Sequence, residues 1–244
     1  MKRTTLGRST HVPVPAQARR VLEAVGQLAQ AQGVSVYAVG GCVRDWCLGR
    51  DRAVDLDVAV EGDAIALARA VAAQWHGTER SHAQFGTATV QLVRGPVRRL
   101  DFAMCRQETY SGPAAYPRVH PGRLTEDLFR RDFTINAMAA ALSPRRFGQL
   151  EDPYGGRPDV ERGILRVLHE RSFVDDPTRL LRGIRFAVRF GFAFEPRTRK
   201  RLIESLRDGA LTRVNPGRLS RELDQMLKEP DPAACLRMLH HYWG

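Results

Sequence analysis

Residues 54–60, Val-Asp-Leu-Asp-Val-Ala-Val, alternate apolar and polar side chains at a period of two. Such alternation specifies a strand with one buried face. Val54, Leu56, Val58 and Val60 then enter a core, while Asp55 and Asp57 project together from the other face. Two carboxylates two residues apart repel unless something positive sits between them. A divalent cation meets that need, and hard cations such as Mg²⁺ take carboxylate oxygens. A solvated acidic strand face satisfies the same pattern.

The residues just upstream favour the first reading. Val34 to Val39 reads as a short strand that stops at Gly40-Gly41, and a helix-like segment follows. Glycines between strand and helix let the backbone approach a ligand closely. The N–H groups opening the helix favour an anion there. Arg44, one turn in, can reach a phosphate with two parallel donors. A phosphate cradle thus precedes a metal-binding strand by a few residues.

Further along, Pro15 to Gln32 has helical spacing at Val21, Leu22, Val25 and Leu28, and Gly33 ends it. Asp63 reads as an N-cap for a helix through Ile65, Leu67, Ala68, Val71 and Ala72. Phe85 to Val93 and Arg99 to Met104 alternate as strands. Asp101 in the second would join Asp55 and Asp57 as a third carboxylate or sit as a satisfied sheet aspartate. Residues 106–123, with Gly112-Pro113, Pro117, Pro121 and Gly122, read as a long loop. Arg130, Arg131, Asp132 and Asn136 precede an apolar stretch, as at a charge-capped helix end. Ile164 to Leu168 reads as a short strand, and the chain after Ser172 as helices over about 177–189, 196–206, 218–227 and 232–240. Leu180, Leu181, Ile184, Ala187 and Val188 form the apolar face of the first, and Arg179, Arg182, Arg185 and Arg189 a second stripe.

Asp176 and Arg179 stand at i and i+3, so they emerge on one helix face. Cytosine and adenine both present an amino donor beside a ring-nitrogen acceptor. A carboxylate takes the amino hydrogen and a guanidinium donates to the ring nitrogen. Uracil and guanine reverse that order. Such a pair accepts C and A and rejects U and G without a template; an ordinary helical ion pair has the same spacing.

Gly40-Gly41-x-x-Arg44 with Asp55-x-Asp57 resembles the nucleotidyltransferase signature of the DNA polymerase beta superfamily, in the form seen in class II tRNA CCA-adding enzymes. Arg130-Arg-Asp-Phe-Thr-Ile-Asn-Ala137 and Asp175-Asp-Pro-Thr-Arg-Leu-Leu-Arg182 resemble its second and third signatures. The family usually opens the third with Glu-Asp; this chain has Asp175-Asp176. The resemblance covers roughly residues 34 to 225. It implies an α+β nucleotidyltransferase head, a mixed β-sheet with flanking helices, over residues 1–150. An all-α neck over 151–244 follows, with the boundary near 145–155. It implies Asp55 and Asp57 as Mg²⁺ ligands, with Asp101 as a further catalytic candidate. Gly40, Gly41, Arg44, Arg130, Arg131, Asp132 and Asn136 would bind the nucleotide's phosphates and sugar. Asp175, Asp176, Arg179, Arg182 and Arg185 would bind the nucleotide too, with Asp176 and Arg179 selecting the base. The expected reaction is transfer of A, CC or CCA from ATP or CTP to the tRNA 3′ end. The linker 108–120 and Val167-Leu-His169 lean toward the A-adding branch. A bacterial poly(A) polymerase and a catalytically impaired tRNA-binding paralog are the rival readings.

The formal charge of +11 and a pI of about 10.3 favour a polyanionic partner such as RNA. Cys42, Cys47, Cys105 and Cys235 have no zinc or redox spacing and read as buried free thiols in a reducing compartment. No run is apolar enough to span a membrane and the start lacks a signal-peptide core, so the expected location is cytoplasmic. The family's body and tail domains are absent from these 244 residues. Leu236, Leu239, Tyr242 and Trp243 in the last helix are therefore expected to lack cover, and dimerisation through that helix would supply it.

Overall fold

The structure, a computed structural model, describes residues 10–51 and 54–243. The chain divides into two compact units. One comprises the residues up to Gln107, His120–Arg131 and Ile135–Val160; the other comprises Glu108–Val119, Asp132–Thr134 and the residues from Glu161 onward.

The first unit is built on a seven-stranded mixed sheet. Its strands are β1 (Ser35–Val39), β2 (Asp55–Glu61), β3 (Thr78–His82), β4 (Thr87–Gln91), β5 (Arg99–Met104), β8 (Ala139–Ala141) and β9 (Leu150–Glu151), and the sheet runs β3-β4-β5-β2-β1-β8-β9. The numbers between belong to β6 (Arg106–Thr109) and β7 (Arg118–Pro121), which pair as a separate two-stranded ribbon. Only β2 and β5 run parallel; every other neighbour in the large sheet is antiparallel.

Helices α1 (Ala16–Ala31) and α3 (Ala64–Trp75) pack on the sheet and on each other. Leu56, Val58 and Val60 of β2, Val90 of β4 and Leu100 and Phe102 of β5 are buried with Leu67, Ala68 and Val71 of α3. The expected cap forms: Asp63 Oδ1 accepts from the Ile65 and Ala66 N–H groups at 3.0 and 2.9 Å. Gly26 lets α1 lie directly on backbone, since a Cβ there would sit 1.8 Å from the Leu142 carbonyl oxygen. Short helices α2 (Gly41–Cys47), α4 (Leu124–Phe129) and α5 (Gly156–Arg162) complete this part of the chain.

In the second unit β10 (Ile164–Leu165) pairs in parallel with β11 (Ala193–Phe194). The rest is helical: α6 (Ser172–Asp175), α7 (Thr178–Phe190), α8 (Pro196–Arg207), α9 (Pro216–Leu227) and α10 (Pro232–Trp243). Leu180, Leu181, Ile184 and Ala187 of α7 are buried as their spacing requires.

Five expectations need correction. Val54 does not enter the core with Leu56, Val58 and Val60: it precedes β2 and is exposed. Residues 106–123 are not one loop, because Arg106–Thr109 and Arg118–Pro121 pair as strands around a turn. The strand expected from Phe85 begins at Thr87, after a 3₁₀ turn over Ala83–Phe85. Residues 1–12 are basic and unpatterned and read as a loose arm; residues 1–9 lie outside the described residues, but the end of the arm is tied down: Val12 is buried, as is Val14 just after it, and the Val12 N–H donates to the Gly148 carbonyl at 2.8 Å. Tyr242 of α10 is covered, its ring meeting Phe194 edge-on at 5.9 Å, whereas Leu236 and Trp243 remain exposed. All four cysteines are buried free thiols, as expected.

Candidate active site

The open end of β2 carries Asp55 and Asp57, both exposed, while Leu56 between them is fully buried. The parallel register sets Asp57 beside Asp101 and Asp55 beside Arg99. On the far side of β5, Thr89 of β4 lies opposite Asp101. Asp101 is satisfied by these neighbours: Thr89 Oγ1 donates to its Oδ1 at 2.6 Å, and Arg99 Nε lies 3.0 Å from Oδ1 and 2.8 Å from Oδ2. Asp57 touches solvent while protein crowds it elsewhere. That crowding raises its carboxyl above the ordinary value; Arg131 opposes the rise, and the charges of Asp101 and Asp55 add to it.

Among the described residues no three His, Cys, Asp or Glu side chains converge closely enough to hold a metal ion alone. The donor set that fits a cation is Asp55 and Asp57, two hard anionic groups on one face. Mg²⁺ commonly takes one or two carboxylates and fills its remaining positions with substrate phosphates and water.

Beyond β1 the chain turns at Gly40, whose φ of 73° disfavours a side chain. A Cβ there would also lie 2.6 Å from Arg131 Nη1, so the glycine seats that guanidinium against the backbone. Gly41 then opens α2. Arg44 Nη1 donates to Asn136 Oδ1 at 2.7 Å, and its Nη2 meets Asp45 at 2.9 Å. Arg130 and Arg131 share Asp127, at 2.8 and 2.9 Å. Burial by itself would raise Asp127, but Arg131 and Arg130 outweigh it and hold the carboxyl below its ordinary value. Arg131 Nε is buried without a hydrogen-bond partner, a donor that an anionic ligand would satisfy. Cys42 is no nucleophile in this setting: burial, with Asp57 adding, pushes its thiol up to about 12.

In the second unit Asp132 accepts from Arg182 Nε at 2.9 Å. Arg182 and Arg185 both reach Glu222 at 3.5 Å, and Arg185 and Arg189 both pair with Glu229. The arginine stripe of α7 is thus largely an internal network, with Arg179 and Arg185 buried. Asp176 precedes α7 with extended backbone, and its Oδ1 accepts from the Thr178 N–H and hydroxyl at 3.1 and 2.6 Å. Arg179 Nε lies 4.0 Å from Asp176 Oδ2, but Asp176 stands outside the helix, so the turn into α7 and not the expected shared helix face brings the two together.

Each member of that pair is held by groups that the sequence did not place beside it. Arg218 Nη2 donates to Asp176 Oδ1 at 2.8 Å, and the same guanidinium lies 5.6 Å from the Tyr116 ring centroid. Arg179 Nη1 donates to Ser172 Oγ at 2.7 Å and lies 3.4 Å from His169 Nε2. Burial, and then Arg179, hold the His169 imidazole below its ordinary value, which favours the neutral ring. Asp175 is buried, 3.1 Å from Arg171. Asp127 had a local signal, an acid three and four residues before two adjacent arginines. Arg218 had none, because its partner is 42 residues away.

Residues 36–166 match the family described as Poly A polymerase head domain, and residues 191–242 match the family described as Probable RNA and SrmB- binding site of polymerase A. An A-adding tRNA nucleotidyltransferase of Halalkalibacterium halodurans is 40% identical over 228 residues, covering 92% of this chain and 53% of that protein. One from Geobacter sulfurreducens is 42% identical over 229 residues, covering 93% of this chain and 26% of its own. The solved structure of a CCA-adding enzyme, apo form II, superposes with a TM-score of 0.88 at 39% identity, covering 94% of this chain and 53% of that one. This chain therefore spans about half or less of the length of these relatives.

Proposed function

The chain belongs to the class II CCA-adding branch of the poly(A) polymerase head-domain family, and from that premise we propose that it adds nucleotides to the 3′ end of tRNA. The A-adding reaction is the favoured form, with ATP as donor and a tRNA ending in CC as acceptor. The observation that carries it is the in-register row of Asp57 and Asp101 on an open sheet face, with Asp55 one step along and Arg131 bearing on Asp57. The A-adding names of the two relatives support the choice of nucleotide.

Asp55 and Asp57 would hold Mg²⁺, which when bound supplies Lewis-acid activation of the 3′-hydroxyl and stabilises the departing pyrophosphate. The chain's own groups do the rest. Arg131, seated on Gly40 with Nε unsatisfied, meets triphosphate charge, with Arg44 and Arg130 beside it in the same role. Arg99 and Thr89 hold Asp101 oriented beside Asp57. The Asp176 carboxylate accepts the amino hydrogens of adenine and the Arg179 guanidinium donates to its ring nitrogen. Asp132 and Arg182 brace each other, and Arg185 is braced by Glu222 and Glu229, which keeps the face of α7 rigid.

The deciding experiment incubates the protein with tRNAs ending before the first C, after CC and after CCA, with each labelled nucleotide in turn. A single AMP on the CC-ending tRNA alone is expected. Processive A addition to any RNA would assign a poly(A) polymerase, and no incorporation would assign a binding paralog.

A cytoplasmic location is consistent with four buried free thiols, and no described helix is long and apolar enough to cross a membrane. Dimerisation through α10 rests on exposed Leu236 and Trp243, and sedimentation over a concentration series tests it.

A further inference from the structure

The carboxylate row does not stop at β5. Following the register outward, Asp57 lies beside Asp101, Asp101 beside Thr89, and Thr89 beside Arg80 on β3. The neighbouring row runs Asp55, Arg99, Gln91, Thr78. Directly paired residues share a face, so these eight side chains lie on one face of four adjacent strands. It is the face away from α3: on β3, Glu79 points the other way and pairs with Arg69 of that helix. Thr78, Arg80 and His82 are all exposed along the edge strand, and Gln91 and Arg99 are exposed inside it.

Two features make this face more than a solvated edge. Arg80 forms no ion pair with any described residue, and the acids of these rows are only Asp55, Asp57 and Asp101 at the far end. Past His82, the turn into β4 presents Phe85 with 53% of its surface exposed. An uncompensated guanidinium and, five residues on, an exposed aromatic ring are the two kinds of group that grip single-stranded nucleic acid, charge to phosphate and ring to base.

We propose that the face of β5, β4 and β3 is the track for the unpaired 3′ strand of the RNA acceptor, with Arg80 on a backbone phosphate and Phe85 under a base. The proposal rests on the nucleotidyl-transfer reading, since it places the 3′-hydroxyl at Asp55 and Asp57. Arg80 stands three strand spacings from Asp57, about 14 Å. A partly extended RNA strand covers that in roughly two to four nucleotides. Arg80 therefore meets a phosphate just upstream of the terminus, within the unpaired end and short of the duplex.

The test measures RNA affinity, which stands apart from turnover. The 244-residue chain and its Arg80→Ala, Arg80→Lys and Phe85→Ala variants are titrated with a CC-ending tRNA over a range of salt. The same RNA is then used with one neutral methylphosphonate at each of the last four linkages. Arg80→Ala should weaken binding about 5-fold and reduce the salt slope by about 0.7, the share of one phosphate on a single strand. Arg80→Lys should keep most of the slope. One methylphosphonate should weaken the wild type equally and leave Arg80→Ala unaffected. Phe85→Ala should weaken binding about 5-fold or more without changing the slope. The KM for ATP should stay constant in all three variants. Unchanged affinity in Arg80→Ala, or losses that multiply with the methylphosphonate at every linkage, would overturn the track. A wild type that binds RNA with this pattern but adds no nucleotide would overturn the transfer reading and leave the track standing.

Discussion

Arg218 of α9 donates to Asp176 at 2.8 Å, and this contact sets where the carboxylate of the proposed base-reading pair points. Thr178 holds the same oxygen from the other side, so Asp176 Oδ1 is fully engaged and Oδ2 is turned toward Arg179. Arg218→Ala leaves Asp176 in place chemically and frees it to rotate. Discrimination of ATP against UTP and GTP in kcat/KM should fall about 10-fold, the worth of one charged hydrogen bond. Arg218→Lys should recover part of it. Unaltered nucleotide preference in Arg218→Ala would leave Arg218 with a structural role alone.

Asp55→Asn and Asp57→Asn should each lower nucleotide incorporation by about 10²-fold or more. Neither should lower the thermal midpoint, because each removes one acid from an exposed cluster of like charge. Chelation of divalent ions should abolish incorporation by the wild type and leave the melting curve of Asp57→Asn unmoved. Near-normal turnover by either variant with Mg²⁺ present would exclude that residue as a ligand.

Asp127 confers acid sensitivity on the first unit. Arg131 and Arg130 depress its folded-state pKa against the opposing effect of burial. An unfolded aspartate titrates near about 3.9. Its contribution is therefore fully present above that pH and is lost as pH falls through the lower folded value. Asp127→Asn leaves two arginines without their shared carboxylate and should cost about 3–5 kcal/mol at neutral pH. Its stability should fall less than that of the wild type below about pH 4. Denaturant titrations from neutral pH downward give both quantities.

Gly26→Ala should destabilise the protein although alanine is the better helix former by about 1 kcal/mol. The new methyl would meet the Leu142 carbonyl oxygen at 1.8 Å, so α1 must lift off the sheet. A net loss of about 1–3 kcal/mol is expected for such overpacking. Gly33→Ala lacks that contact and is the comparison: nothing lies within 4 Å of its Cβ, and only the positive φ opposes it.

What the sequence determined by itself was local. Period-two alternation sent Leu56 inward and left Asp55 and Asp57 on one face, because a strand has no other way to place them. Asp63 capped α3, Gly40 turned the chain, and the apolar spacing of α7 buried Leu180, Leu181 and Ile184. Each depends on residues within a few positions of one another. Strand pairing does not, and tertiary structure alone set Asp101 beside Asp57 and Arg80 in line with both. β3 escaped notice because Thr-Glu-Arg-Ser-His has no apolar alternation; an edge strand exposed on one face is held by its neighbour's backbone. Residues 106–123 read as a loop from their glycines and prolines, yet Arg106–Thr109 and Arg118–Pro121 pair as a ribbon through hydrogen bonds that side-chain patterning does not report. The arginines of α7 were legible as a stripe but their partners were not, because those partners are distant: Asp132 lies 50 residues from Arg182, and Glu229 lies 40 from Arg189. A guanidinium is buried only where folding brings it a carboxylate, and that meeting is decided by how helices pack.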